Sequence, residues 1–221
     1  MAIDPRAVVA PDARIAGDVE IGPFTVIGPE VSIGPGCRIG PHVVINGPTR
    51  MGAGNRVFQF ASIGEDPQDK KYGGERTELV IGERNTFREY VSVNRGTVTG
   101  GGTTRIGNDN LLLAYTHVAH DCILGDHIVL SNAVNLAGHV QLGDWVIMGG
   151  LSAIHQFTKV GAHAFIANNA AVTRDVPPFI MAVGQPAEPH HVNSVGLSRR
   201  GFTEQQISHI KQAYRILYRQ N

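Results

Sequence analysis

The chain has 221 residues, room for one large domain or two small ones, and its 19 Lys plus Arg are matched by 19 Asp plus Glu. That balance gives no overall field to draw in nucleic acid or an anionic membrane surface, so neither is expected as a partner. Charged residues are only 17% of the chain, against roughly 25% in an average soluble domain, and Cys37 and Cys122 show neither metal-ligand spacing nor a disulfide framework. Met1 to Arg6 lacks the basic-then-apolar pattern of a signal peptide, and no apolar run approaches the ~18 residues of a spanning helix. The expectation is a protein of the reducing cytoplasm, without membrane insertion.

From the start, an aliphatic residue recurs at every sixth position, from Ile3, Val9, Ile15 and Ile21 to Met51, Val57 and Ile63, usually followed by Gly or Ala. The series resumes at Ile81, Phe87 and Val93, then runs from Ile106 through Leu112, Val118, Leu124 and Leu130 to Ile166 and Val172, before Pro177 and Pro178 stop it. A period of six is neither the 3.6 of a helix nor the strict alternation of a half-buried strand. It fits short strands joined by tight corners, three hexads to one triangular coil of a parallel β-helix. Residues 1–178 are assigned to this rod, with the periodic aliphatics as its core.

Two polar, Gly-rich interruptions, at 65–78 and 95–104, read as loops thrown from the rod, and such loops are favoured places for binding groups. The first carries Asp69, Lys70, Lys71 and Tyr72. Past Pro178 an α-helical C-terminal region is expected over 188–221. His191 to Arg200 reads as a short helix stopped by Gly201, and Thr203 with Gln206 reads as a capping box. An amphipathic helix over 204–219 follows, with Ile207, Ile210, Tyr214, Leu217 and Tyr218 facing the rod.

Within this scaffold, Thr116-His117-Val118-Ala119-His120-Asp121-Cys122 sets two imidazoles, a carboxylate and a thiol in seven residues. Eighteen residues per coil stack positions eighteen apart, separated by about one strand spacing of 4.7–4.9 Å. Gly138-His139 and His155-Gln156 then fall over His120 on one edge, and a groove lined by three histidines, a glutamine and a glycine N–H crosses three coils. His155 also follows Ile154, where other hexads carry a small residue. His120 beside Asp121 reads as a general base whose tautomer a carboxylate holds, and the Gly138 N–H as a donor to a developing oxyanion. Cys122 as a nucleophile lacks an activating neighbour. Any one of these histidines alone reads as structural, and their stacking is what points to chemistry. A zinc site would need three converging ligands, which His117, His120 and His139 could supply. No metal and no cofactor are expected.

The segments FQFASIGEDPQDKKYGGERT (58–77), NRGTVTGGGTTRIGNDNLLLAYTHVAHDC (94–122), NLAGHV (135–140), AIHQF (153–157), DVPPF (175–179) and VGLSRRGF (195–202) resemble the UDP-N-acetylglucosamine O-acyltransferase family, which begins lipid A synthesis in Gram-negative bacteria. The resemblance implies a left-handed parallel β-helix followed by a small α-helical region, against the usual right-handed crossover rule. It also implies a homotrimer with active sites between subunits, and transfer of an (R)-3-hydroxyacyl group from acyl carrier protein to the glucosamine 3-hydroxyl of UDP-N-acetylglucosamine. Carried over to matching positions, His120 is the base, Asp121 its orienting partner and the Gly138 N–H the oxyanion donor. His117, His139, His155 and Gln156 line the acyl and sugar groove, and Asp69 and Lys71 contact substrate. Asn193 and Arg199 reach the nucleotide end, where a guanidinium suits a diphosphate.

Acyl carrier proteins are acidic, so Lys70, Arg76, Arg84, Arg88 and Arg95 are candidates for a docking patch, with ordinary solubilising charges as the alternative. Three departures from the family pattern stand out. Val195 replaces a carboxylate often found near the ribose, the helical tail is shorter, and Asn168 stands where the acyl groove should end and is expected to shorten the accepted chain. The alternatives are the sibling N-acyltransferase acting on UDP-3-O-acylglucosamine and a hexapeptide carbonic anhydrase. The first carries a uridine-binding domain ahead of its repeats, whereas the hexads here begin at Ile3; the second is told apart by metal content.

Overall fold

The computed structural model describes residues 2–218. Strands mostly two residues long pass in turn through three sheets of 11, 9 and 8 strands, the three faces of a triangular prism. Pairing is parallel and one coil apart: His117 faces Asn135, which faces Ala153, and Val118 faces Leu136, which faces Ile154. This is the expected eighteen-residue stacking. The periodic side chains fill the axis, with Ile63, Val93, Val118, Leu130 and Leu136 fully buried. Strands stay short because the chain must turn before its next inward residue. At the corners, non-glycine residues such as Asp121, His139 and Phe157 take φ of 61°, 64° and 66°. That left-handed geometry costs roughly 1–2 kcal/mol per residue, which the ladder bonds on either side must offset.

Both insertions leave the ladder intact. Val57 pairs with Phe87 and Phe87 with Leu112, so the coils there are 30 and 25 residues long, counted as 87 − 57 and 112 − 87. The loops run over 66–77 and 95–102, narrower than read from composition, because Glu65, Glu78, Thr103 and Thr104 extend the flanking strands. A buried amide ladder carries the rod past them. The Asn85 N–H donates to Asn55 Oδ1 (2.9 Å), the Asn110 N–H to Asn85 Oδ1 (2.9 Å) and the Ile128 N–H to Asn110 Oδ1 (2.6 Å).

The rod does not stop at Pro178. Val176 bridges to Val160, and Ile180–Gly184 pairs in parallel with Phe165–Ile166, placing Ala182 against Ile166. This last coil holds sixteen residues (176 − 160 and 182 − 166), so a count of six passes over it. An antiparallel strand, Ala187–Val192, then folds back on Ile180–Gly184, so the region expected to be helical from 188 begins as sheet. Helix α1 is Ser194–Arg199 rather than 191–200, and the Asn193 side chain sets its start by accepting from the Gly196 N–H. Helix α2 is Glu204–Tyr218, opened by the capping box: the Thr203 N–H donates to Gln206 Oε1 (2.8 Å) and the Gln206 N–H to Thr203 Oγ1 (3.2 Å). Ile207 is buried and Ile210 and Tyr214 pack on the core, whereas Leu217 and Tyr218 are exposed. The end of the expected helix, 219, lies outside the described residues. No helix among the described residues is long and apolar enough to cross a membrane.

The axis has no partner for a charge, so Leu130→Asp should lower the melting temperature by about 10 °C or more in a calorimetric scan, or prevent folding outright. Ile123→Asp, at an exposed outward-facing position beside Leu124, should cost much less.

Candidate active site

The strand His117–Val118 lies on the second face and Ile123–Leu124 on the third, so residues 119–122 turn the edge between them. Both inserted loops turn the same edge, since each joins a second-face strand to a third-face strand. Asp69 and Lys71 therefore share an edge with His120 and Asp121, and the Asp69 carboxylate accepts from the Lys71 N–H (3.0 Å) to shape the loop.

At the corner the Asp121 side chain is buried, with 1% of its surface exposed. One oxygen accepts from the Thr97 N–H (2.7 Å); the other accepts from the Thr97 hydroxyl (2.6 Å) and faces His120 Nδ1 at 2.8 Å. Its own N–H donates to Thr104 Oγ1 (2.8 Å). A carboxylate only accepts, so Nδ1 carries the imidazole proton and Nε2 is left with a free lone pair. The His120 ring lies on Gly138: a Cβ there would sit 2.6 Å from Cε1 and 2.9 Å from Nε2, so only glycine fits. The Gly138 carbonyl accepts from the Phe157 N–H (3.1 Å), while its own N–H has no acceptor among the described residues. A proton acceptor and an unpaired N–H donor thus stand side by side, the two groups an acyl transfer needs.

The remaining residues read from the sequence divide between those near this pair and those away from it. His139 meets the His120 ring edge-on at 5.2 Å, stacks on Phe157 at 4.3 Å and brings Nε2 to 3.6 Å from the Asp121 carboxylate. By register His139 stands over Asp121, and Gln156 stands over Gly138 and His120. His155 is exposed and turns Nδ1 to the Gln156 carbonyl (3.1 Å). His155 begins the same turn one residue before Gln156, so by register it stands over Ala137 and Ala119 and not over His120. His117 pairs Nδ1 with Ser92 Oγ at 2.8 Å, and burial holds its pKa below the usual imidazole value, leaving it neutral at pH 7.

Asn193 occupies a different edge, and Arg199 lines a pocket beside it with Ile147, Phe165 and Met181 of the first face. The Asn193 amide donates to the His163 carbonyl (3.0 Å), and His163 turns the edge between the third and first faces. Neighbouring Arg200 lies over the Trp145 ring at 5.4 Å with Nη1 3.3 Å from His163 Nδ1. One chain thus presents the imidazole–carboxylate pair and the guanidinium cluster on two edges of the prism.

Several expectations change. Arg76 pairs with Glu30, Arg84 with Asp109, Arg88 with Glu89 and Arg95 with Asp66, so of the five cations proposed for docking only Lys70 has no ion pair among the described residues. Arg95 is nearly buried and binds the Gly64 carbonyl, Asp66 and Tyr72, where it ties the two inserted loops together. His117 does not join His120 and His139 as a third zinc ligand. The set whose ligand atoms lie within 4.8 Å is His120, Asp121 and His139, and both Asp121 oxygens already accept from Thr97. Thr97 itself was not singled out, although it holds the carboxylate. Cys122 is buried with its thiol donating to the Ala137 carbonyl (3.2 Å), and burial pushes its pKa up to about 12.

Comparison with known proteins shows what the chain is similar to. Residues 175–221 match the family profile described as UDP-N-acetylglucosamine O-acyltransferase, domain 2, and residues 12–47 match bacterial transferase hexapeptide repeats. The acyl-(acyl-carrier-protein)–UDP-N-acetylglucosamine O-acyltransferase of Thiobacillus denitrificans is 53% identical over 99% of this chain and 84% of its own length. Its namesake from Stenotrophomonas maltophilia is 58% identical over 98% of this chain and 82% of its own. The solved structure of LpxA from Acinetobacter baumannii superposes with a TM-score of 0.97 at 45% identity, covering 100% of this chain and 86% of that one. The rod is accordingly a left-handed parallel β-helix with a small helical C-terminal region.

Burial also raises the pKa of the Cys37 thiol. Neither cysteine should react with Ellman's reagent at pH 8 in the folded protein, and both should react in guanidinium; fast labelling of Cys122 in the native state would reopen its case as a nucleophile.

Proposed function

The chain belongs to the UDP-N-acetylglucosamine O-acyltransferase family, and from that premise we propose that it moves an (R)-3-hydroxyacyl group from acyl carrier protein to the glucosamine 3-hydroxyl of UDP-N-acetylglucosamine, opening lipid A synthesis. The observation that carries the assignment of roles is the His120 imidazole, fixed through Nδ1 on a buried carboxylate and packed against Gly138, whose N–H has no acceptor among the described residues. His120 Nε2 takes the proton as the sugar oxygen attacks the thioester carbon. The oxygen of the tetrahedral intermediate takes a hydrogen bond from the Gly138 N–H. Collapse breaks the carbon–sulfur bond, and the imidazolium returns its proton to the departing thiolate. Transfer is direct, without an acyl-enzyme, which agrees with a Cys122 thiol that is buried and protonated.

Asp69, Lys71, His117, His139, His155 and Gln156 are assigned to the acyl and sugar groove, and Asn193 and Arg199 to the nucleotide. Since the nucleotide end and the base lie on different edges, one substrate reaches both only across two subunits, which favours a homotrimer with its sites between chains. The first face supports the same reading. Leu111, Val129, Ile147, Phe165 and Met181 follow one another in register along its outer side, an apolar stripe left half-buried in a single chain. The substrates place the reaction in the cytoplasm, in keeping with two unpaired cysteines.

Mass spectrometry of UDP-N-acetylglucosamine incubated with a panel of 3-hydroxyacyl carrier proteins tests the assignment. His120→Ala should make no product while keeping its assembly and melting temperature; activity above a few per cent would remove His120 as the base. Gly138→Ala should fall by about 100-fold or more in kcat, because the new methyl group displaces the imidazole. Asn168 stands beside the edge between the first and second faces with its amide over Gly149, and Asn168→Gly should shift preference toward longer acyl donors. Equal rates with long and short donors in both proteins would exclude it as the limit of chain length.

A further inference from the structure

The second inserted loop does more than decorate the edge. The Thr97 N–H and hydroxyl each hold one oxygen of Asp121, and no other residue among those described binds both. The hydroxyl has one proton, and its surroundings decide where that proton points. Its lone pairs face the Gly100 N–H (3.2 Å) and Thr99 Oγ1 (3.0 Å), leaving the proton for Asp121 Oδ2 at 2.6 Å. The short 3₁₀ turn Val98–Gly100 that Thr97 caps is pressed against the carboxylate. A Cβ on Gly100 would overlap the Asp121 carboxyl group, so the turn reaches this close only with glycine there. The loop thereby shuts water away from Asp121 and supplies the hydrogen bonds water would have made.

An ionised carboxylate left dry is costly unless its oxygens are hydrogen-bonded. Freed of Thr97, Asp121 has two ways to lower its energy, by rotating toward solvent or by taking up a proton. Either outcome loosens the imidazole that Nδ1 anchors. We propose that Thr97 is a positioning residue of the acyl transfer: its backbone N–H and hydroxyl lock the Asp121 carboxylate in the one orientation that aims His120 Nε2 at the acceptor hydroxyl. The inference rests on His120 being the base.

Thr97→Val keeps the shape and the backbone N–H and removes only the hydroxyl. Its kcat should drop about 10- to 100-fold, the rate equivalent of one hydrogen bond to a charged group, with KM for UDP-N-acetylglucosamine within about two-fold. Thr97→Ser, which restores the donor, should recover most of kcat. In an Asp121→Ala background the Thr97→Val change should cost nothing further, since a residue that works through Asp121 has no effect once Asp121 is gone. A purely structural role would instead lower the melting temperature, change KM and add to the Asp121→Ala loss. The inference falls if Thr97→Val retains kcat within two-fold, if Ser fails to rescue, or if the two losses add. His120→Ala run alongside separates the cases: activity in that variant overturns the base assignment, whereas an inactive His120→Ala beside a fully active Thr97→Val overturns only the role of Thr97.

Discussion

Everything in this molecule hangs on a backbone constraint at the corners. A coil of three two-residue strands closes only if the chain turns sharply at each edge, and at edge after edge the turning residue is a non-glycine in left-handed conformation. That geometry sends the side chain outward, and parallel pairing repeats it one strand spacing higher. The edges therefore become columns of stacked side chains. Phe24, His42, Phe60, Tyr90 and Tyr115 form one, ring on ring; His127, Trp145, His163 and Phe179 form another. Asp121, His139 and Phe157 belong to the third. The site is that column, completed by His120 and Gly138 just before its turns.

The two inserted loops are clasped to the same column and to one another. Arg95 reaches from the second loop to Gly64, Asp66 and Tyr72, and the Asn94 amide donates to the Asp66 carbonyl (2.8 Å). Thr97 lies two residues further on and holds Asp121. The segment bearing Asp69 and Lys71 is thus linked to the imidazole through a short run of hydrogen bonds, so the loops and the corner behave as one wall of the groove. Of the cations in the two loops, Arg95 is spent on these contacts and Arg76 on Glu30, while Lys70 and Lys71 have no ion pair among the described residues.

Much of this was legible because hexads are arithmetic. Eighteen-residue stacking, with nothing else, sets Gly138 and Gln156 over His120, and the ladder His117–Asn135–Ala153 obeys it. The arithmetic fails wherever a coil departs from eighteen. The coil beneath His120 steps by 25 residues on the second face, from Ser92 to His117, but by 18 on the third, from Arg105 to Ile123, so the extra loop stands directly under the Asp121 corner and a fixed step of eighteen passes over Thr97. The sixteen-residue coil at Val176 hid the last turn of the rod behind two prolines. The helix start at Asn193 was blurred by His191 and Val192, whose strand exists only because Ile180–Gly184 offers an edge to pair with.

Consecutive coils touch only their neighbours, so the stability of such a rod is close to a sum of coil and interface contributions. The groups that do chemistry point away from the axis that supplies those contributions. Asn168, Val195 and Gln156 are all exposed, while Leu130 and Leu136 are not. Mutational drift in the groove therefore draws little on the folding free energy, and drift in the axis draws heavily. A chain built this way can change what it accepts by trying one exposed residue at a time, without first acquiring stability to spare. Its capacity to evolve new selectivity is a by-product of keeping scaffold and chemistry on opposite ends of the Cα–Cβ bond.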